Sequence, residues 1–351
     1  MADEFQPSVA SVIPVLNEAQ SIIQCLESLC SQSYPDNLHQ IHVFDGGSTD
    51  STWQLISDFI GTRSGEQPVI HLHKNPEKYV AQARNLALKI IPNSVEYMFE
   101  IIGHCTVGKE HIQTMVNVMG KLQKANNNSV GALGCKVSSK TGKLGLVESW
   151  IEAGLSSPLA RGNGQFDNFS GTEQTNVPAF CLHYRKALND VNGWDNSFIT
   201  SQDSDLSMRL KSAGYQLYRT DSAIINMSKR STLRSWSKMG FRYGFWRTKL
   251  LQRHKGRASL REFLPWFGLL LTISLAIMAV EIWFLPPLLY LILILIEGLR
   301  FSIVKQKISL LIGTPVAILI LHTTFSIGLF YGLFGRTRSF NDRESNDGNL
   351  N

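Results

Sequence analysis

The sequence predicts an α/β fold, a doubly wound and mainly parallel sheet followed by a C-terminal bundle of membrane helices. Three observations carry this expectation. Short apolar, β-branched runs alternate with stretches of helical spacing from Ser8 to Leu122, turn residues gather where each run ends, and charged residues almost vanish between Phe263 and Phe334. Alternation of this kind implies a parallel sheet, because each crossover helix has to pack on one of its faces.

Ser8 to Val15 reads as the first strand, and Asn17-x-x-Gln20 reads as a helix cap ahead of Ile22, Ile23, Leu26 and Leu29. Ile41 to Phe44 is the second strand; it ends in Asp45-Gly46-Gly47-Ser48, and Thr52 to Ile60 has helical spacing. Val69 to Leu72 and Val80 to Ile90 form the third strand and helix, and Tyr97 to Ile102 and Lys109 to Leu122 the fourth pair. Val130 to Val137 and Val177 to Tyr184 are expected strands. The glycine-rich polar stretch between them, Ser156 to Thr175, is too long for a simple turn and reads as functional or disordered.

The expected organisation is a tail at 1–7, a catalytic domain at 8–235, a basic juxtamembrane helical segment at 236–262, a transmembrane region of two to three spans at 263–334, and a polar tail at 335–351. Phe263 to Leu285, Pro286 to Val304 and Leu310 to Phe334 each approach the ~20 residues that a crossing helix needs. The positive-inside rule places Arg253 to Arg261 and the loop with Lys305 and Lys307 on the cytoplasmic side. A third crossing then strands Arg336 and Arg338 outside. Either the third segment is re-entrant or interfacial, or Glu297 and Arg300 make the second a poor span.

At 351 residues the chain fits one large domain plus an appendage, and its mean hydropathy of −0.03 averages two unlike parts. The net charge of +6 does not point to nucleic acid, because the basic residues crowd ahead of Phe263: Arg230, Arg234, Lys238, Arg242, Arg247, Lys249, Arg253, Lys255, Arg257 and Arg261. Such a cluster suits membrane lipids with anionic head groups or a phosphate-bearing acceptor, the plain alternative being a solvated basic helix. Five cysteines without a C-x-x-C spacing argue against a disulfide framework and a structural zinc site, and for idle thiols in a reducing compartment. Met1 to Ser8 has two acidic residues and no apolar run, so no secretory signal is expected and the first domain should be cytoplasmic, in a multi-pass protein of the cell membrane.

In a doubly wound sheet, ligands sit at the carboxyl ends of the strands, where Asn17-Glu18, Asp45 to Asp50 and Gly103-His104 fall. A nucleoside needs carboxylates or amides to accept its N–H and ribose hydroxyl hydrogens, which Glu18 and Asp45 can do from adjacent loop ends. Gly46 and Gly47 let the backbone turn tightly beside a ligand. Arg84, at the start of a helix, can pair with a phosphate or with Asp45.

Val12-Ile13-Pro14-Val15-Leu16-Asn17-Glu18, Asp45-Gly46-Gly47-Ser48-Thr49-Asp50-Ser51-Thr52 and Ala83-Arg84-Asn85-Leu86-Ala87 resemble, in this order, the opening motifs of family 2 glycosyltransferases with the GT-A fold. Asn192-Gly193-Trp194-Asp195 and Ser201-Gln202-Asp203-Ser204-Asp205-Leu206-x-x-Arg209-Leu210 continue the resemblance, which spans roughly residues 8 to 250. It implies an enzyme that moves a sugar from a nucleotide-sugar donor to an acceptor with inversion. It further implies that Pro14, Asn17, Glu18, Asp45, Gly46, Ser48 and Arg84 hold the donor, and that Asp203 is the general base that takes the acceptor's proton. Gln202 stands where the family carries Glu. Asp203 and Asp205 also suit a plain helix cap near Leu206, while Asp205, Arg230 and Arg242 are candidates on the acceptor and pyrophosphate side.

The largest departure lies at the metal site. Family members place Asp-x-Asp after the fourth strand to hold a divalent cation, and this chain has Ile102-Gly103-His104. Some exopolysaccharide-building, succinoglycan-type relatives carry Asp-x-His there, and Ser157-Pro158-Leu159 with Gly162-Asn163-Gly164-Gln165-Phe166 resembles that subgroup. His104 can therefore still bind Mn²⁺ or Mg²⁺ through a neutral imidazole, although Ile102 cannot. Otherwise Arg84, Arg230 or Arg242 supplies the positive charge that the diphosphate leaving group needs. Met239-Gly240-Phe241-Arg242-Tyr243 keeps only the Arg and an aromatic of the Q-x-x-R-W found in processive relatives, which favours transfer of one sugar to a lipid-linked or polysaccharide acceptor at the membrane. The rival reading is a nucleotide-sugar-binding membrane protein of the same fold with impaired catalysis. A transporter would need more spans and intramembrane polar pairs than Glu297, Arg300 and His322 offer.

Overall fold

The computed structural model describes residues 6–63, 65–139, 144–160, 169–227 and 231–335. They form two compact units. The first takes in the described residues of Met1–Thr141 and Asn168–Ser228, the second those of Gly142–Asp167 and Lys229–Asn341.

In the first unit the chain runs β1 (Val9–Val15), α1 (Ile22–Cys30), β2 (His39–Asp45), α2 (Thr52–Thr62), β3 (Val69–Lys74), α3 (Val80–Ile90), β4 (Tyr97–Glu100), β5 (Cys105–Val107), α4 (His111–Ala125) and β6 (Val130–Ser139). The second unit contributes α5 (Leu146–Ser156), and the chain returns to the first with β7 (Thr172–Gln174), β8 (Leu182–Tyr184), α6 (Arg185–Asp190), α7 (Gln202–Ser212) and β9 (Gln216–Met227).

The sheet order is β3-β2-β1-β4-β8-β6-β9-β5, with β7 beside β9. β1 lies parallel to β2 and β4, and β2 to β3, as the alternation predicts. Beyond β4 the sheet is mixed. β8 runs antiparallel to both β4 and β6, β5 and β7 run antiparallel to β9, and only β6 and β9 are parallel there. The parallel half is the part joined by crossover helices, which parallel neighbours require.

Every residue of β1 is buried, as its unbroken apolar run requires in a sheet covered on both faces. Ala81, Ala83 and Ala87 of α3 pack with Ala10, Val12 and Phe44, small side chains that bring this helix close to the sheet. The C-terminal end of α3 is capped from a distance: Arg185 donates to the carbonyls of Leu88 at 2.9 Å and Ile91 at 2.7 Å.

The second unit is helical: α5, α8 (Leu233–Arg253), α9 (Leu260–Ile277), α10 (Leu285–Val304) and α11 (Leu310–Phe334). The last three are long and apolar enough to cross a membrane. α8 and α11 pack through small residues: Gly244 abuts the Phe325 carbonyl, Gly328 that of Phe241, and Gly332 lies against Thr248.

Several expectations need correction. The strand expected at Val177 to Tyr184 is confined to Leu182–Tyr184, and that expected at Tyr97 to Ile102 stops at Glu100. The first apolar helix begins at Leu260 and ends at Ile277, short of Leu285. Asn17 is not a helix cap, because Ser21 precedes α1 and the Asn17 side chain is committed elsewhere. α5, inside the expected 8–235 domain, groups with the C-terminal helices because Trp150 and Gly154 pack on Gly313 and Ala317. Arg230, the 162–166 loop, Arg336 and Arg338 lie outside the described residues.

Candidate active site

The loops after β1 and β2 are stitched together. Asn17, in the left-handed region at φ +56°, accepts the Thr49 N–H on Oδ1 at 2.8 Å, and its own N–H donates to Ser48 Oγ at 2.9 Å. The Glu18 N–H donates to Thr52 Oγ1 at 2.8 Å. Asp45 organises its own turn, its carboxylate accepting from the Gly47 N–H at 3.0 Å, the Ser48 N–H at 3.1 Å and Ser48 Oγ at 2.5 Å. A Cβ on Gly46 would lie 2.5 Å from the Lys78 carbonyl oxygen, so only glycine fits there. Pro14 is buried within β1.

The loop after β4 reaches the first of these loops. Glu18 Oε1 meets His104 Nδ1 at 2.7 Å, and Glu18 Oε2 accepts from Ser21 Oγ at 2.9 Å. Gly103 permits this approach, since a Cβ there would sit 3.0 Å from Glu18 Cγ. Two residues singled out separately, one for the nucleoside and one for the cation, thus form a pair. A carboxylate on Nδ1 fixes the imidazole tautomer and leaves Nε2 as a ligand atom, an arrangement suited to holding a divalent cation. The side chain of His104 is 35% exposed, so a cation can reach it. Glu100, Cys181 and His183 also place ligand atoms within 4.8 Å of one another. That cluster does not fit a cation: Glu100 already faces the Arg84 guanidinium at 3.1 Å, and burial pushes the Cys181 thiol far above its ordinary range.

Arg84 ties the two halves of the site together. Its guanidinium binds the Asp203 carboxylate and Glu100, and lies 5.4 Å from the centre of the Trp194 ring. It does not pair with Asp45, because α3 aims it into the sheet, where it is buried. Burial works against its charge, but Asp203 and Glu100 more than offset this, so it remains a cation. Burial also opposes ionisation of Glu100, but Arg84 and His183 hold its pKa at about 2.

Asp203 sits in the first turn of α7, where the helix N-terminus favours a carboxylate. Ser201, at φ +66°, turns the chain into that helix. Burial pushes the Asp203 carboxyl above its ordinary pKa, and the Glu100 charge adds to the rise while Arg84 opposes it. Its side chain is 41% exposed, which leaves it reachable by an acceptor. Asp205, by contrast, is fully buried and accepts from Arg209 Nε at 2.8 Å; Arg209 in turn donates to the carbonyls of Val191 and Gly193. Asp205 therefore supports the 192–195 turn from inside, a role that burial imposes in place of acceptor contact. Arg242 belongs to α8 in the helical unit.

The Ala83-Arg84-Asn85 segment latches both later motifs. Asn85 donates to the Trp194 carbonyl at 2.7 Å and accepts the Trp194 N–H at 2.8 Å, while Gly193, at φ +67°, leaves no room for a Cβ beside it. Glu100 and His183 were not singled out from the sequence. The signal for Glu100 was present, since a lone carboxylate inside the apolar run Tyr97-Met98-Phe99 has to be paired when that strand is buried.

Residues 11–142 match the family described as Glycosyl transferase family 2, and residues 177–327 match Glycosyl transferase family group 2. A dolichyl N-acetyl-alpha-D-glucosaminyl phosphate 3-beta-D-2,3-diacetamido-2,3-dideoxy-beta-D-glucuronosyltransferase of Methanococcus voltae is 25% identical over 95% of this chain and 99% of its own length. Succinoglycan biosynthesis protein ExoA of Rhizobium meliloti is 26% identical over 78% of this chain and 81% of its own length. Among solved structures, mannosyltransferase PcManGT from Pyrobaculum calidifontis in complex with GDP-Man and Mn2+ superposes with a TM-score of 0.62 at 14% identity, over 94% of this chain and 88% of that one, a likeness of fold. The chain is an enzyme of glycosyltransferase family 2, built on the GT-A fold.

Proposed function

We propose that this glycosyltransferase acts with inversion, moving a sugar from a nucleotide sugar to a lipid-linked or polysaccharide acceptor at the cytoplasmic face of the membrane. The observation that carries the reading is Asp203: a half-exposed carboxylate held by a buried arginine at a helix N-terminus. In the reaction an acceptor hydroxyl oxygen attacks the anomeric carbon while its proton passes to Asp203. The bond from that carbon to the diphosphate oxygen breaks on the opposite face, and its electron pair leaves with the nucleoside diphosphate. Arg84 orients Asp203. Pro14, Asn17, Gly46 and Ser48 shape the donor loops, while Glu18 and Asp45 accept from the nucleoside. Arg230 and Arg242 are candidates for the acceptor side.

His104 Nε2, oriented by Glu18, would hold a divalent cation, Mn²⁺ suiting an imidazole better than Mg²⁺. When bound, the cation neutralises charge on the diphosphate. The Mn²⁺ in the mannosyltransferase complex supports this assignment, and the names of the archaeal and rhizobial relatives support a lipid-linked or polysaccharide acceptor.

The test supplies the purified chain in lipid with UDP- and GDP-sugars and polyprenyl-phosphate-linked acceptors, with and without Mn²⁺ and Mg²⁺, and reads the product's anomeric configuration by NMR. Cation-stimulated transfer with an inverted linkage is expected. A retained linkage would refute the mechanism, and donor binding without transfer to any acceptor would favour the catalytically impaired reading.

A further inference from the structure

Glu100 closes β4 at the end of an apolar run, a place where a carboxylate has to be paired and hydrogen-bonded. Three groups meet it. β8 lies antiparallel to β4 with His183 opposite Met98, which sets His183 diagonally beside Glu100 on one face of the sheet, its Nε2 3.3 Å from Glu100 Oε2. Glu100 Oε1 accepts the Cys181 N–H at 3.2 Å. Arg84 comes from α3, and its Nη2 faces Glu100 Oε2 at 3.1 Å. Burial opposes ionisation here, but Arg84 and His183 keep Glu100 an anion.

The other end of the guanidinium, Arg84 Nη1, meets Asp203 Oδ1. A guanidinium beside a single carboxylate commonly takes both of its oxygens with two parallel N–H groups. In this site the fork is divided, one end for Asp203 and the other for Glu100. Asp203 Oδ2 accepts no hydrogen bond among the described residues. That division suits a base, because one oxygen fixes the carboxylate and the other keeps its lone pairs for a proton. An arginine that held both oxygens would favour the ionised carboxylate and weaken the base. The Trp194 ring walls the pair in, with its centre 5.4 Å from the Arg84 guanidinium and 5.5 Å from the His183 ring, which it meets edge-on.

We propose that Glu100 is a positioning residue of the transfer: by occupying one end of Arg84, it leaves Asp203 Oδ2 free to take the acceptor's proton. His183 and the Cys181 N–H hold Glu100 in place for that role. The inference deepens the assignment of Asp203 as the base and rests on it. The groups whose charge bears on Asp203 are Arg84 from α3, Glu100 from β4 and His183 from β8. The Cys181 thiol also lies near, and burial pushes it far above its ordinary range, so it stays neutral. Within α7, Arg209 neutralises Asp205.

The experiment uses the full chain in lipid and follows kcat against pH, with donor affinity from titration calorimetry, for wild type, Glu100→Gln, Glu100→Asp and Asp203→Asn. Glu100→Gln is expected to bind the donor within a few-fold of wild type. Its kcat should fall several-fold, and the acid limb of its profile should move down by about one pH unit, because Arg84 then turns both ends to Asp203. In Glu100→Asp the shorter side chain draws back from Nη2, and a smaller downward move is expected. Lost packing alone would lower kcat at every pH and leave the limb in place. An unmoved limb in Glu100→Gln therefore overturns the inference. So does an unmoved limb in Glu100→Asp, which decides the matter if Glu100→Gln fails to bind the donor. In both cases loss of transfer in Asp203→Asn leaves the base standing. Transfer by Asp203→Asn at the wild-type rate would remove Asp203 as the base, and the inference with it.

Discussion

Glu100 and Arg84 illustrate how a buried charge holds a site in place. Glu100→Gln takes one of the two carboxylates from the buried Arg84 and leaves it Asp203 alone, so the substitution should cost up to about 3 kcal/mol at neutral pH. The pH dependence follows from the sign of the shift. Because the folded pKa of Glu100 is depressed to about 2, its contribution is present above the unfolded value of ~4.3 and is lost as pH falls from there toward about 2. Acid unfolding of the wild type should therefore steepen in that window, and the Gln variant should lack this component. Equal acid profiles for the two proteins would show that Glu100 is not the ion that Arg84 needs. The sequence marked both Arg84 and Asp203 but not their contact: they lie 119 positions apart, and no local spacing reports a contact of that range.

Element by element, legibility followed periodicity. α3 has the bounds its apolar spacing predicts, because the Ala face and the strands it packs on demand the same register. β9 left no clear signal, since Gln216–Met227 alternates burial unevenly and bulges against β6 between Cys135 and Lys136. α5 was hidden for another reason: its partner face lies on α11, more than 150 residues later. Glycines separate two element-scale outcomes. Gly244 touches the backbone of α11, so Gly244→Ala should lower the melting temperature in lipid or detergent by pushing the helices apart, at about 1–3 kcal/mol. Gly61, in the last turn of α2, has open space around it, and Gly61→Ala should stabilise by about 0.5–1 kcal/mol. Calorimetry on both variants checks the pair, and a tolerated Gly244→Ala would contradict the tight packing of α8 on α11.

For the whole molecule, the gathering of the Asn17-Glu18, Asp45 to Asp50 and Gly103-His104 loops was legible because they follow β1, β2 and β4, and a parallel sheet gathers strand ends. The mixed half of the sheet was not, since antiparallel insertion of the three-residue β8 depends on pairing with β4 and β6 and on no periodicity of its own. The cation question was posed by Ile102-Gly103-His104 in sequence and sharpened by the Glu18–His104 contact, which joins the first loop to the third. What sequence could not show is that Asp203, Arg84 and Glu100 form one charged cluster and that Asp205 stands apart from it, fully buried.

The central claim is that Asp203 is the base of the transfer. The most direct test compares wild type with Asp203→Asn for sugar transfer and, by titration calorimetry, for donor binding. The account predicts a fall in kcat of about 10²–10⁴-fold with donor affinity within a few-fold of wild type. Transfer that survives at wild-type rate, with the donor bound as before, would contradict it.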